Sequence, residues 1–287
     1  MINSHEPTKS HEPTKSHEPE SSGRQATLSD SDIRVLVTRP QEQAELLVSM
    51  IHSQGAKAWS LPMIQIQPVT ENKELRNRVL QLDQYSKIIV ISQNAAKLGL
   101  EHIENYWPQM PLKIDWYAVG SKTLRWLDDY AIEAVCPEML LANKRSGDSE
   151  ALLELESLQQ VSGEKILILK GKGGRELLET TLRNRGAQVD CLELYERQKP
   201  DYPENCLNRL IKEHAINVIL TSSGEILANT ADYLSPALSQ ECYLVVPSER
   251  IARMPEAQAF KRVYTAQGAD NHAMVSVLNL INSEGLT

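Results

Sequence analysis

Aromatic residues are scarce, 5% of the chain with Phe260 the only phenylalanine, so a surface that stacks bases has little to be built from. Cysteine is also rare. Cys136, Cys191, Cys206 and Cys242 lie far apart with no CxxC pair, which argues against a disulfide framework and against a zinc site; they are expected to be reduced and mostly buried. No apolar run approaches the roughly 18 residues that cross a bilayer, so no membrane association is expected. Positive charge is outnumbered, with 30 Lys and Arg against 38 Asp and Glu. The resulting net charge of -8 and pI near 5.5 disfavour a broad nucleic-acid surface while leaving room for a local basic cleft. The first thirty residues hold no apolar segment, so no secretory signal is visible and the cytoplasm is the expected compartment.

Several catalytic signatures are missing as well. There is no GxSxG turn, no HExxH and no paired-His helix, which removes the usual signs of a serine hydrolase or a metalloenzyme. Gly171-Lys172-Gly173-Gly174 is not GxGxxG, and Gly120-Ser121-Lys122-Thr123 lacks the upstream Gly and the GK[ST] order of a P-loop, so nucleotide binding is not indicated. His52, His102, His214 and His272 are scattered and read as surface residues.

What is present begins with a repeat. Residues 4–9 read SHEPTK, residues 10–15 repeat it, and a third copy decays after Glu20. Pro7, Pro13 and Pro19 oppose helix, and almost nothing apolar precedes Leu28, so residues 1–32 read as a disordered low-complexity tail. His5, His11 and His17 recur every six residues and can in principle chelate a metal, but a chance duplication in a solvated tail is the favoured reading.

From Ile33 onward, short Val, Ile and Leu runs alternate with segments of helical period, the pattern of an α/β protein with parallel sheets flanked by helices. Strands are expected at 35–38, 58–66, 88–92, 116–119, 166–170, 189–195, 218–221, 243–246 and 262–265. The spacing predicts a helix over 41–53, with Leu46, Leu47 and Met50 on one face and Gly55 as its stop. Another is predicted over 176–185, with Leu177, Leu178 and Leu182 and the stop Gly186. Aligning Gly55-Ala56 with Gly186-Ala187 also superposes Glu45-Leu46-Leu47 on Glu176-Leu177-Leu178, and Val35 on Ile166, at an offset of 131 residues. The following strand pairs agree at nearly the same offset. The body is therefore two similar α/β halves, and Gln67-Pro68 and Lys199-Pro200 are natural crossover points that leave a cleft between two sheets.

In such sheets ligands bind beyond the carboxyl ends of the strands, where helix N-termini favour anions. The junctions there read Thr38-Arg39-Pro40, Ser92-Gln93-Asn94, Gly120-Ser121-Lys122-Thr123, Gly171-Lys172-Gly173-Gly174, Ser222-Ser223-Gly224 and Pro247-Ser248-Glu249-Arg250. Each alone is adequately explained as a helix cap; together, with interleaved Arg and Lys, they suit a ligand with several carboxylates. Tyr195 stands apart, because the equivalent position of the first half is the aliphatic Ile64. A tyrosine hydroxyl is protonated at neutral pH and can donate to a leaving oxygen, although pattern alone favours a tyrosine that packs the hinge.

In order and spacing these segments resemble the uroporphyrinogen-III synthase family over essentially residues 33–281. The resemblance rests on Thr38-Arg39-Pro40, Ser92-x-Asn94-Ala95, Val119-Gly120-x-x-Thr123, Ser146-Gly147-Asp148-Ser149-Glu150-Ala151-Leu152-Leu153, Lys170-Gly171 with Gly174-Arg175-x-x-Leu178, Tyr195-Glu196-Arg197 and Thr221-Ser222-Ser223. Each is short; the ordered set is specific. The resemblance implies two α/β domains joined by a two-stranded hinge with a ligand cleft between them. One domain would be residues 33–67 plus 199–287, the other residues 68–198. The implied reaction closes the linear tetrapyrrole hydroxymethylbilane to uroporphyrinogen III, with loss of water and inversion of ring D through a spiro intermediate, without cofactor or metal. Tyr195 matches the family's tyrosine and is the expected general acid. Thr38, Arg39, Ser92, Asn94, Ser121, Lys170, Gly171, Ser222, Ser223 and Ser248 are the expected substrate-binding residues. A monomer is expected, with no nucleic-acid or membrane partner, and with at most transient contact with the preceding enzyme.

The chain departs from the family pattern in places. Lys170 stands where Arg is frequent and loses its bidentate fork; Ser248 sits in an altered turn; and Ile91 replaces a Thr. A non-catalytic two-domain protein that binds a small anion, or an inactive paralogue, are the competing readings.

Overall fold

The structure, a computed structural model, describes residues 32–137, 148–174 and 176–285. The repeat tail, Ser146-Gly147 and Arg175 lie outside the described residues. Eleven strands among the described residues form two sheets. The first contains β1 (Arg34–Val37), β2 (Lys57–Ser60), β9 (Val218–Leu220), β10 (Tyr243–Val246) and β11 (Arg262–Thr265), all parallel, in the order β11-β10-β9-β1-β2. The second contains β3 (Gln65–Pro68), β4 (Lys87–Val90), β5 (Asp115–Ala118), β6 (Ala134–Val135), β7 (Lys165–Gly171) and β8 (Gln188–Gln198), in the order β3-β8-β7-β4-β5-β6. Central strands such as β4 and β10 are buried at every position, as expected where helices cover both faces of a parallel sheet. Apolar clusters accordingly lie on each face of each sheet.

The internal repeat is realised as topology. Read from the β2 edge, the first sheet runs β2-β1-β9-β10-β11; read from the β8 edge, the second runs β8-β7-β4-β5-β6, which is the same arrangement under the 131-residue offset. Both are doubly wound. Their switch points fall between β1 and β9 and between β7 and β4. The difference is where each sheet takes its first two repeat strands: the first sheet takes β1 and β2 from before the second sheet in the chain, so the chain passes between sheets twice.

Those passages correct one strand. The stretch expected as a single strand over 58–66 is two: β2 ends at Ser60 in the first sheet, and β3 begins at Gln65 in the second. Between them the backbone stays tied to the end of β1, with the Leu61 and Met63 N–H groups donating to the Val37 and Thr38 carbonyls. Pro62 has no N–H to continue a ladder. β3 pairs antiparallel with the far end of β8, Gln65 opposite Gln198 and Pro68 opposite Tyr195, so the second sheet is not wholly parallel. The short strand β6 was not expected at all.

Helix α1 (Gln41–Ser53) has its predicted limits, but its buried stripe is Ala44, Leu47 and Ile51, and Leu46 is exposed. The helix Leu177–Asn184 repeats this: Leu178 and Leu182 are buried, while Leu177, the counterpart of Leu46, is turned outward. Both helices stop as the sequence indicates, at Gly55 (φ 92°) and Gly186 (φ 88°), where a side chain would be strained. α2 (Lys73–Leu80), α3 (Gln93–Glu104) and α4 (Ser121–Asp129) flank the second sheet. Among the described residues no helix is long and apolar enough to cross a membrane. None of the four cysteines is in a disulfide; Cys242 is buried and the others are half-buried, less enclosed than expected.

Candidate active site

The carboxyl ends of β1 and β4 lead into α1 and α3, and the first turns of these helices form two walls of a cavity of about 560 Å³. Pro40 to Gln43 line one wall, and Gln93, Asn94, Lys97 and Leu98 the other; both interdomain passages, at Pro62 to Pro68 and Pro200 to Tyr202, complete it. The walls touch. The Lys97 ammonium meets the Glu42 carboxylate at 2.8 Å.

Immediately behind the α3 wall lies Tyr195. Its ring belongs to the apolar cluster with Leu169, Leu192 and Leu194 and is only 2% exposed. Its hydroxyl lies 3.0 Å from Ser92 Oγ. Ser92 is the N-cap of α3, accepting from the Ala95 N–H, so one hydroxyl anchors the helix that lines the cavity and also holds the phenol. The ring is seated on Gly171: the β7–β8 register shifts between Lys170 and Gly171, bringing Gly171 opposite Tyr195. A Cβ on Gly171 would lie 2.6 Å from the ring's Cζ, so only glycine leaves room.

The other expected residues are distributed along the same carboxyl ends in different environments. Asn94 lines the cavity. Thr38 is fully buried and donates its hydroxyl to the Leu220 carbonyl at 2.7 Å, stitching β1 to β9. Arg39 is 1% exposed and turned inward: Nη1 donates to Asn271 Oδ1 at 2.6 Å and Nη2 to the Ala269 carbonyl at 2.7 Å, while Nε has no partner among the described residues. Burial lowers its pKa to about 10, against the opposing field of Asp270. Lys170 is buried and alternates onto the face shared by Ile166 and Ile168. Ser223 caps the helix Gly224–Tyr233 through the Ile226 N–H. Ser222 and Ser121 are half-buried beside it and at the start of α4, respectively. Ser248 precedes the short helix Glu249–Ala252 without a side-chain cap bond.

Sequence reasoning missed three residues here. Glu42 and Lys97 form the bridge, and Lys97 is three residues after Asn94, on the same helix face. Lys122, at the start of α4, is held below the ordinary lysine range by burial and by the neighbouring Arg39 guanidinium, with Arg125 adding to the effect and Asp270 opposing it. The carboxyl edges of the two sheets are therefore within electrostatic reach of one another. Only the helical spacing after Ser92 could have pointed to Lys97; Lys122 stands in the Gly120–Thr123 junction without being distinguished there, and Glu42 carries no local signal.

Two doubly wound domains with a cavity across their switch-point helices, and a buried phenol behind its wall, define a two-domain α/β protein with a cleft between its sheets. A family model described as HEM4, uroporphyrinogen-III synthase HemD, matches residues 45–276. The uroporphyrinogen-III synthase of Escherichia coli (strain K12) is 32% identical over 254 residues, spanning 85% of this chain and 99% of that protein. That of Salmonella typhimurium is 31% identical over 251 residues, again 85% of this chain and 99% of its own length. Among solved structures, uroporphyrinogen-III synthetase from Helicobacter pylori 26695 shares the fold with a TM-score of 0.57 at 14% identity, covering 87% of this chain and 99% of that one. The chain belongs to the uroporphyrinogen-III synthase family.

Proposed function

We propose that this chain closes hydroxymethylbilane to uroporphyrinogen III, expelling water and inverting ring D, and that Tyr195 is the acid that protonates the departing hydroxyl. Membership of the family makes the chain an enzyme, a cyclising lyase of porphyrin biosynthesis. The observation that carries the residue-level reading is the Tyr195–Ser92 contact of 3.0 Å directly behind the cavity wall. Ser92 Oγ already accepts from the Ala95 N–H, and its own hydrogen is free to point at the phenol oxygen. In that arrangement the phenolic hydrogen is available to the substrate, and Ser92 remains as a donor to the phenolate once the proton has gone. Because the ring is buried, the substrate reaches it by parting the walls.

The substrate's eight carboxylates account for a site built at helix N-termini in an acidic protein. Asn94, Ser121, Ser222, Ser223 and Ser248 supply hydroxyl and amide groups; Thr38, Arg39, Lys170 and Gly171 shape the edges that carry them. The enzyme acts as a cytoplasmic monomer, with no nucleic-acid or membrane partner and with transient contact at most with the preceding enzyme.

The test is to incubate the protein with fresh hydroxymethylbilane and separate the oxidised uroporphyrin isomers. Isomer III in proportion to protein is expected, and isomer I at the protein-free rate would overturn the reading. Tyr195→Phe should slow isomer III formation by about tenfold or more, with the dissociation constant for uroporphyrin III unchanged.

A further inference from the structure

The cavity between the domains poses a charge problem. Among the described residues that line it, Lys97 is the only cation, and Glu42 and Asp201 are carboxylates. Lys97 is also bonded across the walls, to Glu42 at 2.8 Å, with side-chain exposures of 35% and 68%. Glu42 stands in the first turn of α1, where the helix dipole favours an anion, and Lys97 stands one turn beyond Ser92 on the helix that holds the phenol. A polycarboxylate entering here meets net negative charge, and the ammonium that can receive one of its carboxylates is the one Glu42 already holds. The exchange is chemically even, one carboxylate replacing another on the same ammonium. Exposed ion pairs of this kind are weak enough to be exchanged.

Resting on the reading of the chain as a tetrapyrrole synthase, we infer that Lys97 is a substrate-carboxylate ligand and that Glu42 is the chain's own carboxylate at the place where a substrate carboxylate binds, an interdomain latch that substrate releases by competition. Lys97 thereby couples substrate entry to movement of α3, and with it Ser92, relative to α1. The other carboxylate that acts on Lys97, Glu101 on the same helix, does so through its field and does not bridge the walls.

The experiment compares wild type, Lys97→Met, Glu42→Gln and the double variant at low ionic strength. Two readouts are taken: KM and kcat for isomer III formation, and the dissociation constant of uroporphyrin III followed by its fluorescence. Lys97→Met should raise KM and that dissociation constant by about tenfold, the loss of one charge-assisted contact, with kcat within about twofold. Glu42→Gln should lower both by about two- to fivefold, since it removes the competitor. The double variant should match Lys97→Met, because without the lysine there is nothing to compete for. Equal weakening by both single variants would reduce the pair to a domain tie and overturn the inference, as would values unchanged from wild type. If wild type forms no isomer III yet the uroporphyrin III pattern holds, the latch stands and the synthase reading fails. If isomer III forms and the pattern is absent, the reverse is true.

Discussion

Gly171→Ala tests the seating of the catalytic candidate without touching it. Gly171 does not have a positive φ, so alanine is compatible with the backbone and the perturbation is purely steric. An added Cβ would lie 2.6 Å from Tyr195 Cζ, 2.7 Å from Cε2 and 3.0 Å from the hydroxyl oxygen. Ordinary contact requires the ring to retreat by about 1 Å. The ring is buried against Leu169 and Leu194, so it cannot retreat without displacing packed neighbours. Overpacking of this kind costs about 1–3 kcal/mol. The same movement lengthens the 3.0 Å contact with Ser92 beyond hydrogen-bonding distance and forfeits about 0.5–1.5 kcal/mol more. For a body of this size, each kcal/mol lowers Tm by about 2–4 °C, so the combined loss predicts a fall of roughly 3–18 °C by calorimetry. Isomer III formation should drop with it, because the phenol leaves its partner. In a Tyr195→Leu background the clash disappears, and Gly171→Ala should cost under about 1 kcal/mol. A Gly171→Ala protein that melts within about 1 °C of wild type and keeps its rate would refute the seating of the ring on this glycine.

Two further outcomes follow from the same geometry. Ser92→Ala removes both the cap of α3 and the partner of the phenol, and should cost about 2 kcal/mol in urea unfolding while lowering isomer III formation; an activity loss without a stability loss would contradict its capping role. Asp190 concerns acid stability: burial alone would raise its carboxyl, but the Arg78 guanidinium at 2.6 Å and the Tyr85 hydroxyl at 2.8 Å outweigh that and hold it below its ordinary value. A carboxyl depressed in the folded state contributes stability that is fully present above its unfolded-state value and is lost as pH falls from there through the lower folded-state value, so Asp190→Asn should flatten the fall of the urea midpoint below about pH 4, and parallel curves for the two proteins would refute it.

The halves of the molecule were legible because each strand-helix unit states its own limits: apolar runs with period 2 or none, a helical stripe, then Gly55 or Gly186 in the conformation that glycine tolerates. The division of one run at Ser60 had a single local sign, Pro62, which cannot donate to a ladder. Leu61, Met63, Ile64 and Ile66 otherwise continue the apolar pattern, and tertiary placement shows that Leu61 and Met63 are still tied to β1 while Ile66 pairs with Arg197. The exposed Leu46 and Leu177 misled for the opposite reason: within a short helix, a leucine next to a buried leucine sits at the stripe's edge, and the packing partner decides its side. At the site, Tyr195 was visible as the residue that breaks the repeat, but its partner Ser92 is 103 positions away. Arg39 illustrates the limit most directly. A cation after a strand reads as an anion ligand, yet here its two terminal nitrogens donate to groups 230 and 232 positions distant.

The treatment of Arg39 bears on how an acidic chain would hold a substrate with eight carboxylates. A full positive charge at the edge of the first sheet is already bonded to Asn271 and the Ala269 carbonyl, and the one cation that lines the cavity among the described residues is already bonded to Glu42. What remains uncommitted by construction is the backbone: each helix N-terminus presents N–H groups that the helix itself cannot satisfy, and Ser92 and Ser223 each take only the third of these. Such donors are fixed in place and carry about half a charge per helix end, so they attract carboxylates weakly one by one and more strongly when several carboxylates span several helices. That distribution favours a long flexible polyanion over a small one and ties its recognition to the relative position of the two domains. On the proposed reading, holding the two ends of the bilane is then a consequence of how the domains sit, while Tyr195 acts on the bond to the departing hydroxyl.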